Sequence, residues 1–165
     1  MVAVVALAAA LGVGAAMLSS SRHEQKAPAT APKRTERVGP EILHFMSTAT
    51  GSAYVDNAAK GFSAGDLLTE HTVLSTRGKH VGSMALTSTV TDRTGKDTGE
   101  VMFTAVADIR GSQIVMTGKF DVVPQNQTFH AAITGGTGSF AGATGTAIFK
   151  QVSSNGTVLT LTVTV

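Results

Sequence analysis

Asn155-Gly156-Thr157-Val158-Leu159-Thr160-Leu161-Thr162-Val163-Thr164-Val165 is the stretch that decides the fold. Leu159, Leu161, Val163 and Val165 alternate with Thr160, Thr162 and Thr164, a period of two. Such a strand packs one face on a core and turns the other outward. Asn155-Gly156 ahead of it predicts a two-residue hairpin, because both central residues of such a turn need φ > 0.

The same period recurs back to Pro40, between turn signals. The expected strands are Glu41–Thr50, Asp66–Ser75, His80–Thr91, Gly99–Ile109, Ser112–Val123, Thr128–Thr134, Gly145–Val152 and Thr157–Val165. Short links between consecutive strands favour up-and-down order. Eight is the number at which a closed barrel has an interior just wide enough for side chains or one small ligand. Closure also removes edges on which a Thr- and Val-rich chain would aggregate. The fold class is therefore all-β: an eight-stranded antiparallel up-and-down β-barrel over 40–165.

Composition agrees. The chain has 165 residues, 42% of them hydrophobic and 15% charged, with 18 glycines and no Cys or Trp. One core can be buried, and strands with tight turns are favoured over long helices. The absence of Cys excludes disulfides, thiolate metal sites and a cysteine nucleophile. The net charge of +2 is uneven: residues 1–40 carry five basic and two acidic groups, leaving eight basic and nine acidic in the barrel. The folded part has no basic, aromatic-interleaved face, so nucleic acid is not an expected partner.

Val2–Leu18 holds only Val, Ala, Leu, Gly and Met. Its 17 residues suit a signal-peptide core better than a spanning helix, which needs about 20. No Lys or Arg precedes it. The expectation is a signal peptide or membrane anchor over 1–21, a buried helix being the remaining alternative. A flexible linker follows over 22–39, with Pro28, Pro32 and the basic groups. The chain is then secreted or held in the cell envelope.

The most unusual segment is Ala132-Ile133-Thr134-Gly135-Gly136-Thr137-Gly138-Ser139-Phe140-Ala141-Gly142-Ala143-Thr144-Gly145. No Lys-Ser or Lys-Thr follows its last Gly, and no helix with a second parallel strand, so it is not a nucleotide loop. Gly135, Gly136, Gly138, Gly142 and Gly145 read as a structural turn between barrel strands. The segment resembles the GGTG signature of the allene oxide cyclase and dirigent families. Gly65-Asp66-Leu67-Leu68 looks like their GDL element. Gly78-Lys79-His80-Val81-Gly82 and Gly111-Ser112 to Gly118 match their next strands. The spacing holds from about Ile42 to the C-terminus, and the nearest match is the exported bacterial type. The resemblance implies an eight-stranded barrel, often a homotrimer, with a mostly apolar pocket.

Its chemistry carries over only in part. Aligned through Leu43-His44, the acidic position of the plant cyclases falls near Ser47 and their amide near Ala49. Gly51-Ser52-Ala53-Tyr54 looks like their following segment without its Pro, so Ser52 either keeps a serine's role there or is a plain turn residue. The dirigent Asp of that strand has no counterpart between Ile42 and Val55. A serine does not replace a general acid at neutral pH. On the second and third strands Glu70, Thr72 and Ser88 share faces with Leu68, Leu74, Leu86 and Val90, assigned inward. An inward Glu70 would have a raised pKa and act as acid or ligand anchor; with the face reversed it is solvated.

No catalytic residue is assigned. His23, His44, His80 and His130 are scattered, and neither a metal nor a cofactor is expected. The leading function is binding of a small apolar molecule in the lumen. A cyclase-like or dirigent-like isomerase guiding ring closure of an unsaturated substrate is the alternative. A structural, self-associating envelope protein is the third. Fold alone decides none of them.

Overall fold

Alternation of large apolar with Thr and charged residues recurs in every strand, and closure follows from burying one face of each. The computed structural model describes residues 39–57, 61–95, 98–122 and 127–165. The apolar segment and nearly all of the linker lie outside the described residues. The strands are β1 (Glu41–Val55), β2 (Leu67–Thr76), β3 (Lys79–Arg93), β4 (Gly99–Ile109), β5 (Ser112–Val122), β6 (Thr128–Gly136), β7 (Thr144–Gln151) and β8 (Gly156–Thr164). Each is antiparallel to the next in the chain, and β1 closes the barrel on β8.

The lumen is the core. Phe45, Leu74, Met84, Phe103, Ile114, Met116, Ile133, Phe149, Leu159 and Leu161 project into it and are buried. Small residues alternate with large ones, as the taper of a small barrel requires. Ala105, Ala107 and Ala147 are fully buried beside Phe103 and Phe149. Gly118 faces Phe103 across the β4–β5 ladder. A Cβ there would stand 2.9 Å from the Phe103 ring and 2.8 Å from the His130 carbonyl oxygen, so only Gly admits the ring.

Alternate links fall at opposite ends. At one end β2 turns into β3 through Arg77-Gly78 and β4 into β5 through Arg110-Gly111. Both residues of each pair have φ between 52° and 78°, the left-handed pattern of a two-residue hairpin. The glycine-rich link between β6 and β7 is also there and carries a single 3-10 turn over Gly138–Phe140. The links β1–β2, β3–β4, β5–β6 and β7–β8 form the other end, called here the loop end.

Two expectations need correction. Asn155-Gly156 is not a two-residue hairpin turn. The β7–β8 link is Val152–Asn155, and Gly156 is the first, buried residue of β8. The Asn155 carbonyl accepts a hydrogen bond from the Ala49 amide, which continues the ladder to β1 in extended form. The core face fixes this register by setting Leu159 between Phe149 and Phe45. The first strand also runs five residues beyond Thr50. A bulge between Ala49 and Gly51 lets it keep pairing with β2, from Gly51 opposite His71 to Val55 opposite Leu67.

Candidate functional site

The loop-end half of the lumen has a polar side and an aromatic side. On the polar side, Leu68, Glu70, Thr72 and Leu74 of β2 point inward. Thr72 and Leu74 are buried, and the half-buried Glu70 lies nearer the loop end. His71 takes the outer, exposed face. Ser47 of β1 donates a hydrogen bond to Thr72 Oγ1 at 2.8 Å, and both side chains are 2% exposed. That pair satisfies itself. Ser88 of β3 does not: it is 1% exposed, and its hydroxyl has no hydrogen-bond partner. A buried unpaired hydroxyl costs about 1–3 kcal/mol, so it calls for an explanation.

Ser88 pairs with Leu68 on one side and Phe103 on the other, and Leu86 pairs with Glu70. Ser88 and Glu70 are therefore diagonal neighbours on one face, roughly 7 Å apart at Cα. Ser52 lies directly opposite Glu70 on β1 but is exposed, beyond the bulge. Ser52 is thus a strand residue at the rim, not a turn residue. Burial alone pushes the Glu70 carboxyl above its ordinary range, with no compensating cation. Ser47, Thr72, Glu70 and Ser88 line one inner wall, with Ser52 at its edge.

Four phenylalanines make the aromatic side, which begins at Phe103 beside Ser88. Phe129 stacks on Phe149 with centroids 4.8 Å apart and an interplanar angle of 6°. Phe120 stacks on Phe129 at 4.7 Å and 26°. Phe103 meets Phe129 and Phe149 edge-on, at 82° and 86°. Phe103 and Phe149 are buried; Phe120 and Phe129 are half-buried toward the loop end. Leu159 lies beside Phe149, and below them Leu74, Ile114, Met116 and Leu161 are 0% exposed and fill the lumen.

A second cluster holds the rim, and the sequence reading passed over it. The fully buried Asp66 accepts hydrogen bonds from the Tyr54 hydroxyl, the Asn57 amide at 3.0 Å and the Ser63 amide at 2.7 Å. The Tyr54 bond, helped by the others, holds the Asp66 carboxyl below its ordinary range. Desolvation, then the Asp66 carboxylate, pushes Tyr54 up to about 12. Backbone bonds from Gly65 N to Val90 O and from Val90 N to Asp66 O pin the link to β3. Asp66 stood in the sequence as the D of the GDL element; its partner Tyr54, 12 residues earlier, gave no local signal.

The turn glycines do different jobs. Gly138, Gly142 and Gly145 have φ of 58°, 77° and 141°, whereas Gly135 and Gly136 end β6 without positive φ. Glu100 and Lys119 form an ion pair at 2.5 Å outside the barrel, and Asp108 accepts the Gly111 amide in a hairpin. Among the described residues no group of three or more His, Asp or Glu is placed to hold a metal ion.

No family model matches the chain, and no curated protein sequence matches it. Solved structures do. A pyocyanin demethylase superposes with a TM-score of 0.67 and 22% identity, over 75% of this chain and all of that one. The pterocarpan synthase dirigent protein GePTS1 gives a TM-score of 0.56 at 18% identity, covering 78% and 86%. AbnU, an exo-specific intermolecular Diels–Alderase, gives 0.59 at 10% identity, covering 75% and 97%. The chain thus has the eight-stranded barrel fold that dirigent proteins share with cyclase and Diels–Alderase barrels.

Proposed function

We propose that the barrel binds a small apolar molecule in the loop-end half of its lumen. The observation that carries this reading is the Ser88 hydroxyl, buried without a partner between Leu68 and Phe103. A purely structural barrel gains nothing from that group, whereas a ligand oxygen or nitrogen would satisfy it. Glu70 adds a second polar handle on the same wall, on the face it shares with Leu68 and Leu86.

A cyclase-like reading has support of its own. Solved neighbours of this fold are described as Diels–Alderases and as a pterocarpan synthase dirigent protein. Such reactions need an unsaturated substrate held in a reactive shape away from water. Burial raises the Glu70 pKa, and in its protonated form the carboxyl would donate a hydrogen bond to a substrate oxygen. The missing first-strand carboxylate, with Ser47 engaged by Thr72, removes the plant cyclase's own acid from this scheme.

Native mass spectrometry of the full chain, purified gently, tests the binding reading. A retained apolar compound, or stoichiometric uptake from an added mixture of fatty acids, polyenes and quinones, is expected. A protein that carries nothing and takes up nothing contradicts it.

A further inference from the structure

We infer that the ligand is a compact, flat, conjugated molecule with an oxygen at one edge, not a long acyl chain; this rests on the lumen being the binding site. Three observations point there. The first is depth. Beneath the phenylalanines the lumen is closed by side chains with no exposure, among them Leu74, Ile114, Met116 and Leu161. An extended chain entering at the loop end meets this filled core after the first few carbons. The incompletely buried side chains lie at the mouth, Leu68 and Leu86 on one wall and Phe120 and Phe129 on the other, and a ligand would have to lodge among them.

The second is the shape and chemistry of the aromatic wall. Phe120, Phe129 and Phe149 are stacked in sequence, and Phe103 packs across them and locks their orientation. Phe129 is sandwiched between Phe120 and Phe149, so the stack offers a ligand the outer face of Phe120 and the electropositive ring edges, which a π-system matches in stacked or edge-to-face geometry and an alkyl chain does not. Phenylalanine adds no polar atom, so the ligand's heteroatoms must lie elsewhere.

The third is where polar groups do occur. Ser88 and Glu70 are diagonal neighbours on the opposite wall, and Ser88 has a hydroxyl to share. A hydroxyl both donates and accepts, and the half-buried carboxyl, which burial makes easier to protonate, accepts when ionised and donates when protonated. One edge bearing a carbonyl with a neighbouring hydroxyl would meet both, leaving the rest of the ring system against the phenylalanines.

Calorimetric titration of the full chain with 2-hydroxy-1,4-naphthoquinone and, separately, palmitic acid tests the inference. The quinone is expected to bind at least tenfold more tightly. Ser88→Ala is expected to weaken quinone binding about tenfold and Phe129→Leu to weaken it severalfold, with circular dichroism unchanged. Glu70→Gln, at a half-buried position, gives a second polar variant and keeps a donor. It should bind the quinone nearly as well, while Glu70→Ala should not. Palmitic acid binding as tightly as the quinone, or alone, overturns the inference and leaves lumen binding standing. Binding of neither overturns both.

Discussion

Asp66 shows what one residue does for the rim. Its carboxylate is fully buried, yet it collects donors from Tyr54, Asn57 and Ser63, which span one link of the barrel. Because its folded pKa is lowered, the stability it contributes is present above 3.8, its unperturbed value, and is lost as pH falls through the folded pKa. Tyr54→Phe removes the largest source of that shift. The variant should lose about 1 kcal/mol at pH 7, a modest figure because Tyr54 is 44% exposed. The difference from the unaltered protein should shrink below pH 3.8 as Asp66 protonates. Urea unfolding at pH 7 and pH 3 measures both; an equal loss at the two pH values would mean that Tyr54 contributes by packing, not through the carboxylate.

Elements were largely legible, and the reason is the lumen. Wherever one face of a strand is buried, the period of two survives in the sequence, as in Val101, Phe103, Ala105, Ala107 and Ile109 of β4. Legibility failed where that constraint is absent. From Thr50 to Val55, β1 is exposed on both faces, so nothing in its pattern marks a strand, and Ser52 read equally well as a turn. Asn155-Gly156 failed for another reason: a local turn preference lost to a ladder bond with Ala49, a residue over 100 positions away. In the candidate site, periodicity put Glu70 and Thr72 on the face of Leu68 and Leu74, and Ser88 on the face of Leu86 and Val90, but left open whether Glu70 points inward. The Ser47–Thr72 bond, the phenylalanine stack and the Asp66–Tyr54 latch needed the register of non-adjacent segments. The glycine-rich link also resolves into unequal parts. At Gly145, φ is 141° and a Cβ would stand 1.9 Å from the Thr162 carbonyl oxygen, in backbone that cannot retreat. Gly145→Ala should cost roughly 3 kcal/mol or more. A Cβ on Gly135 meets nothing within 4 Å, so Gly135→Ala should fall within about 0.5 kcal/mol of the unaltered protein. Thermal unfolding of both variants compares them, and similar losses would show that the segment acts as a uniform glycine loop.

At the scale of the whole molecule, the barrel divides its interior between an apolar half and a half with polar groups on one wall. The half toward the Arg-Gly turns is filled with apolar side chains, and the loop-end half carries polar groups that no packing demand explains. Burial of Glu70 works against folding at neutral pH: its raised pKa means that the favourable neutral form is fully present below about 4.5 and lost as pH rises through the folded value. Sites kept for function often carry such a cost, and stability rises when the group is removed. Ser88 makes the sharpest case, since its hydroxyl is unpaired and its volume differs little from that of alanine. Thermal unfolding of Ser88→Ala, with and without the bound small molecule, is the decisive measurement. The ligand-free variant should be as stable as the unaltered protein or more so, by up to about 1 kcal/mol, while the increase in Tm on adding ligand largely disappears. A variant that is destabilised when empty, yet gains as much from ligand as the unaltered protein, would show that Ser88 serves the fold and that the lumen is not organised around a bound molecule.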